Sequence, residues 1–326
     1  MTETKSVHLS MPKSWNELPT KQLELITQLG VERDILCQKI GELADSRYRL
    51  KTLQILLGLR KKIEMYTADN GLEYLIFQRK SLCPWSEKIP IAIGQLLTML
   101  EQIKWIDNPL TRTKAPYGFV RVMGQKFKCP TNKMTSVTYQ QYTMAQNIVT
   151  AYWQTQENIF YLMSHKSGKK AILFQTKKLQ KLRGMFLACL FNPGRVEKEI
   201  EKSGRRYKST HRTWEFDSSQ IERNWKKFRF SQRRLFPVML QFFLSTQQYF
   251  SSIFPDLFVT REAGETKLPD FVLQEVETMT AIMKYQGFKD YQTIYDSNAV
   301  HVLKVLDNMA KDAKEIKRQQ TKMKSK

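Results

Sequence analysis

Seven consecutive residues, Ser164-His165-Lys166-Ser167-Gly168-Lys169-Lys170, are the chain's nearest approach to a phosphate-binding loop. Such a loop aims backbone N–H groups at phosphate oxygens from a glycine-rich turn and ends in a lysine followed by a hydroxyl residue. Here Met163 stands where the first glycine is needed, and no Ser or Thr follows the lysine. The segment therefore reads as basic, not as nucleotide-binding. Gly-x-Gly-x-x-Gly and Gly-x-Ser-x-Gly patterns do not occur. Of the four histidines, His8 falls in a polar N-terminal tail, His165 and His211 in basic loops, and His301 beside Val300 and Val302. None is spaced from another His, Cys or carboxylate as in a zinc helix or finger. Cys37, Cys83, Cys129 and Cys189 lie far apart with no Cys-x-x-Cys, which reads as buried free thiols of a reducing compartment rather than a disulfide framework. No catalytic residue, metal ligand or cofactor is expected. An enzyme whose site is assembled by the fold from distant residues is a third alternative behind the two readings below.

The positive signal is cationic and aromatic. Arg205, Arg206, Tyr207 and Lys208 lead through His211, Arg212 and Trp214 to Trp225, Lys226, Lys227, Phe228, Arg229 and Phe230, then Arg233 and Arg234. Upstream stand Lys166, Lys169, Lys170, Lys177 and Lys178. Cations can contact phosphates while aromatics stack on the bases of a single strand. The same spacings also fit a helix core formed by Trp225, Phe228, Leu235 and Phe236, with the cations on a solvated face. Both readings stand at this point. No helix-turn-helix, zinc-finger or RNA-recognition signature is present.

The whole chain carries 53 Lys+Arg against 31 Asp+Glu, a formal net charge of +22 over 326 residues. The excess is local. Residues 108–196 hold 14 Lys/Arg and one acidic residue, Glu157, whereas residues 255–300 hold eight acidic residues and four basic ones. A clustered field of this kind acts as a docking surface for an acidic partner or a polyanion. The N-terminus lacks the apolar core of a secretory signal, and no apolar run reaches the roughly 18 residues of a membrane span, so a cytoplasmic location is expected.

The elements that must position these residues are mostly helices. Apolar residues recur at helical spacing in 20–29, 31–44, 46–61, 91–106, 138–153, 179–191, 219–228, 231–250 and 271–285, with a last helix from about 290 into the tail. Residues 72–77 read as a short strand, and 203–209 as a basic loop. Pro109, Pro116, Gly118, Gly124 and Pro130, with Tyr117, Phe119, Val120 and Val122 between them, predict a β-hairpin near 117–128. The fold class is therefore mainly α, an irregular helical protein with one small β-hairpin. The expected organisation is a flexible tail at 1–13, a main helical domain at 14–258 with a basic middle at 108–234, a C-terminal helical subdomain at 259–310, and a basic flexible tail at 311–326. The boundary falls at 259–269, where Gly264 and Pro269 stand among polar residues.

Four segments, in this order, carry a resemblance. They are Pro12-Lys13-Ser14-Trp15-Asn16-Glu17-Leu18 with Gln22-Leu23, Val137-Thr138-Tyr139-Gln140-Gln141-Tyr142-Thr143-Met144-Ala145, Met185-Phe186-Leu187-Ala188-Cys189-Leu190-Phe191, and Phe254-Pro255-Asp256-Leu257-Phe258. Together they resemble proteins encoded in the tail region of tailed phages and prophages. The resemblance implies a helical, non-enzymatic virion-assembly protein, tail-associated or akin to a tail-assembly chaperone, whose partners are other assembly proteins. The basic loops at 166–170 and 198–208 depart from that pattern. The reading from sequence is thus a protein that docks an acidic or helical partner, with nucleic-acid binding through the basic and aromatic segments as the alternative.

Overall fold

Residues 11–40, 43–69, 71–79, 88–165, 168–193, 196–202, 205–211, 216–258 and 271–324 are described by the computed structural model. They form ten α-helices and three small antiparallel sheets, so the class is mainly α. The expected hairpin is present, and two further sheets accompany it. The chain divides into two compact units, one of residues 1–112 with 233–245 and one of 113–232 with 246–326. The segment 259–269, read as a boundary, lies outside the described residues.

In the first unit, α1 (Thr20–Ile40) and α2 (Leu43–Leu56) pack through Leu23, Ile26, Tyr48, Leu53 and Leu56. The expected break near Gly30 does not occur, and the two periodic runs around it form one helix. The Gln22 amide donates to the carbonyls of Ile55 and Leu56 at the end of α2, where Ile55 also accepts from the Gly58 N–H. Gly58, at φ 65°, then turns the chain out of α2, because the left-handed region suits a residue without Cβ. The helix expected to reach residue 61 therefore stops, and Leu59 starts a strand. The sheet β1 (Leu59–Thr67), β2 (Glu73–Arg79) and β3 (Lys88–Ala92) leads into α3 (Ile93–Gln102). Trp15 is buried, its indole donating to the Trp105 carbonyl at 3.1 Å and meeting the Trp105 ring edge-on. The seventh helix in the chain, α7 (Gln232–Ile253), gives residues 233–245 to this unit. There Gln241 and Ser245 donate to the Pro109 carbonyl at 2.7 and 3.3 Å.

In the second unit, β4 (Phe119–Val122) and β5 (Gln125–Lys128) form the hairpin, joined by the two-residue turn Met123-Gly124, with β6 (Asn192–Pro193) beside β5. Val120 and Val122 are buried while Phe119 and Arg121 face solvent, the period-two alternation of a half-buried strand. Phe228 stacks on Phe191 at 5.7 Å between ring centres and meets Phe127 tilted at 5.0 Å, and the three close this end of the core. Two long helices, α4 (Tyr139–Ser164) and α5 (Lys169–Leu190), form an antiparallel pair, and Thr138 caps α4 by accepting from the Gln141 N–H. Where the sequence predicts a basic loop at 203–209, residues 196–202 and 205–211 pair as β7 (Val196–Lys202) and β8 (Arg205–His211). The short α6 (Ser219–Asn224) continues into a 3₁₀ turn, Trp225–Phe230, so the helix expected at 219–228 changes type halfway. The last elements are α8 (Phe271–Gln286), α9 (Tyr291–Asp296, capped by Asp290) and α10 (Ala299–Lys324). Where a fraying extension was expected beyond residue 310, the helix continues to Lys324.

Candidate docking surface on the basic helical hairpin

Burial changes sides halfway along the α4–α5 pair. In α4 the buried residues run from Tyr139 to Thr155, and none follows. In α5 nothing is buried before Leu179, and burial then runs through Leu190. One end of the pair is core. The other, residues 156–165 with 168–178, has no buried residue on either helix.

That free end is rich in large apolar side chains left in water. Phe174 is 67% exposed, Tyr161 61%, Met163 59% and Leu173 55%, with Phe160 close behind. On α5 the exposed residues Lys170, Leu173, Phe174, Lys177, Lys178 and Lys181 follow one another at i, i+3, i+4, i+7, i+8 and i+11. This spacing puts them on a single outward stripe in which two adjacent apolar tips are flanked by ammonium groups. An apolar cluster of this kind on a soluble surface marks an interaction site. Lys169, Lys170, Lys177 and Lys178 make no ion pair or side-chain hydrogen bond among the described residues. Glu157 is the only acidic residue between positions 108 and 196, so the local field is not neutralised from within.

The remaining candidate residues take different places. Trp225 is half-buried over Gly184 of α5, so it is packing rather than a free stacking platform. Lys181 and the exposed Lys226 both sit 5.9 Å from its ring centre, where the ring's negative face attracts them. Lys181 also reaches Glu222 at 3.1 Å. Lys227 is held inward: its ammonium donates to Gln125 Oε1 at 2.7 Å and Asn224 Oδ1 at 2.8 Å. These bonds tie the 3₁₀ turn to β5. Arg229 is exposed beside Phe230, whose side chain is 83% exposed. Phe228 is fully buried, as the core reading of this segment required. Arg233 and Arg234 belong to the other unit, where Arg234 lies 3.6 Å from Glu24. On β8, the register sets Arg205 opposite Lys202, Arg206 opposite Glu201 and Lys208 opposite Glu199. Lys166 and Arg212 lie outside the described residues. The fold thus brings together Lys169, Lys170, Lys177 and Lys178, and adds Lys181 and the apolar residues that charge counting alone had passed over.

Cys129 and Cys189 are both buried free thiols. Burial pushes the Cys129 thiol up to about 12 and the Cys189 thiol higher still, so both stay protonated at neutral pH. His165 closes α4, its ring stacked on Tyr161 at 4.0 Å and its Nδ1 2.9 Å from the Tyr161 carbonyl. The Ser164–Lys170 segment joins two helices, whereas a phosphate loop follows a strand. Among the described residues no three His, Cys, Asp or Glu side chains gather as metal ligands, and no helix is long and apolar enough to cross a membrane. Comparison with known proteins finds no matching family model, no matching curated protein and no matching solved structure.

Proposed function

We propose that this chain is a non-enzymatic docking protein of the virion-assembly type, which engages an acidic, partly apolar partner surface through the free end of the α4–α5 pair. The observation that carries the reading is the outward stripe Lys170–Leu173–Phe174–Lys177–Lys178–Lys181. Its cations steer an acidic partner and select against a basic one, while Leu173 and Phe174 supply the apolar contact that charge alone lacks. The phage-type segments sit in covered elements: Trp15, Tyr139, Tyr142, Phe186 to Phe191 and Phe254 are all buried. The resemblance therefore speaks for a shared core, and the docking stripe is an addition outside it.

A second reading, single-stranded nucleic acid, is favoured by the exposed rings of Phe160, Tyr161 and Phe174 among the lysines. The aliphatic Leu173 and Met163 between those rings favour a protein partner.

The test places a photo-crosslinking amino acid at position 174 in cells that carry the native partner set, beside anisotropy with a labelled single strand at physiological salt. The reading expects one discrete protein adduct of acidic composition that disappears in Lys170→Glu/Lys177→Glu/Lys178→Glu. A nucleic-acid adduct, together with salt-resistant strand binding lost in the same variant, would put the second reading in its place. Adducts spread over many unrelated proteins and insensitive to the charge reversal would defeat both.

A further inference from the structure

The outer half of α10 buries nothing. Ala299, Val302, Leu303 and Val305 are buried, Leu306, Met309 and Ala310 are half-covered, and every residue from Lys311 to Met323 is exposed. Two polar contacts mark where support ends. The Tyr285 hydroxyl donates to Asp312 at 2.7 Å, and Lys314 reaches Asp256 at 2.7 Å. About three further turns extend past them. A helix segment of that length is marginal in water without something packed along it.

Its sequence is nonetheless patterned for packing. Ala299, Val302, Leu306, Met309, Ala313, Ile316, Gln320 and Met323 follow at alternating intervals of three and four, the a and d positions of a heptad repeat carried through the whole helix. The first four lie against the rest of their unit, and the last four continue the same seam into solvent, with Ile316 55% and Met323 72% exposed. A solvated tail has no use for an apolar residue at every second seam position.

The flanking charges choose among occupants. From Lys311 to Lys324 there are six Lys/Arg and two acidic residues. Lys317 and Lys324 stand at the e positions beside the seam. In a second copy of this helix the facing g positions would be Asp312, one oxygen of which accepts from Tyr285, and Gln319, so Lys324 would find no carboxylate and Lys317 a shared one. We infer that the outer half of α10 forms one strand of an intermolecular coiled coil whose other strand is an acidic amphipathic helix of a partner protein, with glutamates opposite Lys317 and Lys324. This goes beyond the docking proposed for α5 and lies on a different helix, so the two stand or fall separately.

The probe is a fluorescein-labelled peptide of about four heptads with Leu at a and d and Glu at e and g, titrated with the full chain at physiological salt. Binding is expected to saturate, and to weaken about ten-fold or more in Ile316→Glu/Met323→Glu and again in Lys317→Glu/Lys324→Glu. It should be unchanged in Leu173→Ser/Phe174→Ser, which disables the α5 stripe. Leu173, Phe174, Ile316, Lys317 and Met323 are solvent-facing, and an unchanged thermal transition confirms the fold of each variant. Equal affinity for a scrambled peptide of the same composition would overturn the inference, as would indifference to both α10 variants. A dimer seen by light scattering and dissociated by Ile316→Glu would overturn it in favour of a second copy.

Discussion

Gln141 and Cys189 are bonded to each other in both directions: the Gln141 side-chain amide donates to the Cys189 carbonyl at 2.7 Å, and the Cys189 thiol donates to the Gln141 carbonyl at 3.3 Å. Both are buried, and the same amide reaches Asn192 Oδ1 at 3.2 Å. The carbonyl of Cys189 belongs to the last turn of α5, where intrahelical donors run out, so one side chain from the start of α4 both caps α5 and fixes the angle of the pair. Gln141→Met keeps the volume but leaves that carbonyl buried and unpaired. It is expected to cost about 1–3 kcal/mol, read as a lower thermal midpoint. Cys189→Ala leaves the amide bond in place and should cost less.

Gly184 is the point of closest approach between α5 and the 3₁₀ turn. A Cβ there would lie 2.8 Å from the Trp225 carbonyl oxygen and 2.9 Å from Gln232 Nε2. The glutamine can move, but the carbonyl is backbone. Gly184→Ala is therefore expected to destabilise by about 1–3 kcal/mol despite alanine's better helix propensity, measurable as a drop in the urea midpoint.

The hairpin turn offers the opposite case. Met123 and Gly124 both have positive φ, 48° and 77°, the geometry of a two-residue turn whose twist matches its strands. Glycine adopts this freely and methionine does not. Met123 is exposed, so its side chain contributes little there. Met123→Asn is expected to raise stability by about 1 kcal/mol, seen in the same denaturation assay.

The thiols set an alkaline limit. Burial raises both Cys129 and Cys189, so the folded state holds protons that the unfolded chain releases near its ordinary value of 9.0. The associated stability is complete below that pH and is lost as pH rises toward about 12 for Cys129. Tyr142, also raised by burial, adds to the loss above pH 10.0. Denaturant midpoints measured across an alkaline series should fall from about pH 9 upward. Alkylation at pH 8 followed by peptide mapping should leave Cys129 and Cys189 unmodified in the native protein.

How much of this was legible in the sequence depended on the range of the interaction. The hairpin at Phe119–Lys128 was readable because its turn residues and alternating valines lie within one short segment. The end of α2 was missed although its signal was present: Gly58 breaks the run, but Leu59 continues the apolar pattern as a strand. Strand β8 was read as a loop because its partner, β7, shows no alternation distinctive enough to announce the pairing. In the candidate site, charge pointed to Lys169, Lys170, Lys177 and Lys178, yet Lys226 and Lys227 look identical in sequence. Only the fold turns Lys227 inward to Gln125, 102 residues away. Phe174 and Tyr161 were beyond sequence reading for a related reason. Apolar residues at helical spacing look alike whether or not another element covers them.

The division of α7 bears on how the protein comes to be made. The first unit consists of residues 1–112 and 233–245, so its two pieces are separated in synthesis by the whole of 113–232. At roughly 5–20 residues per second, the N-terminal piece waits on the order of ten seconds before Gln241 and Ser245 exist to bond Pro109. During that wait the positions that α7 will cover stand open on a nascent chain. No single cut in the gene releases this unit intact. A holding chaperone would meet the N-terminal piece in that open state, with part of 113–232 already attached.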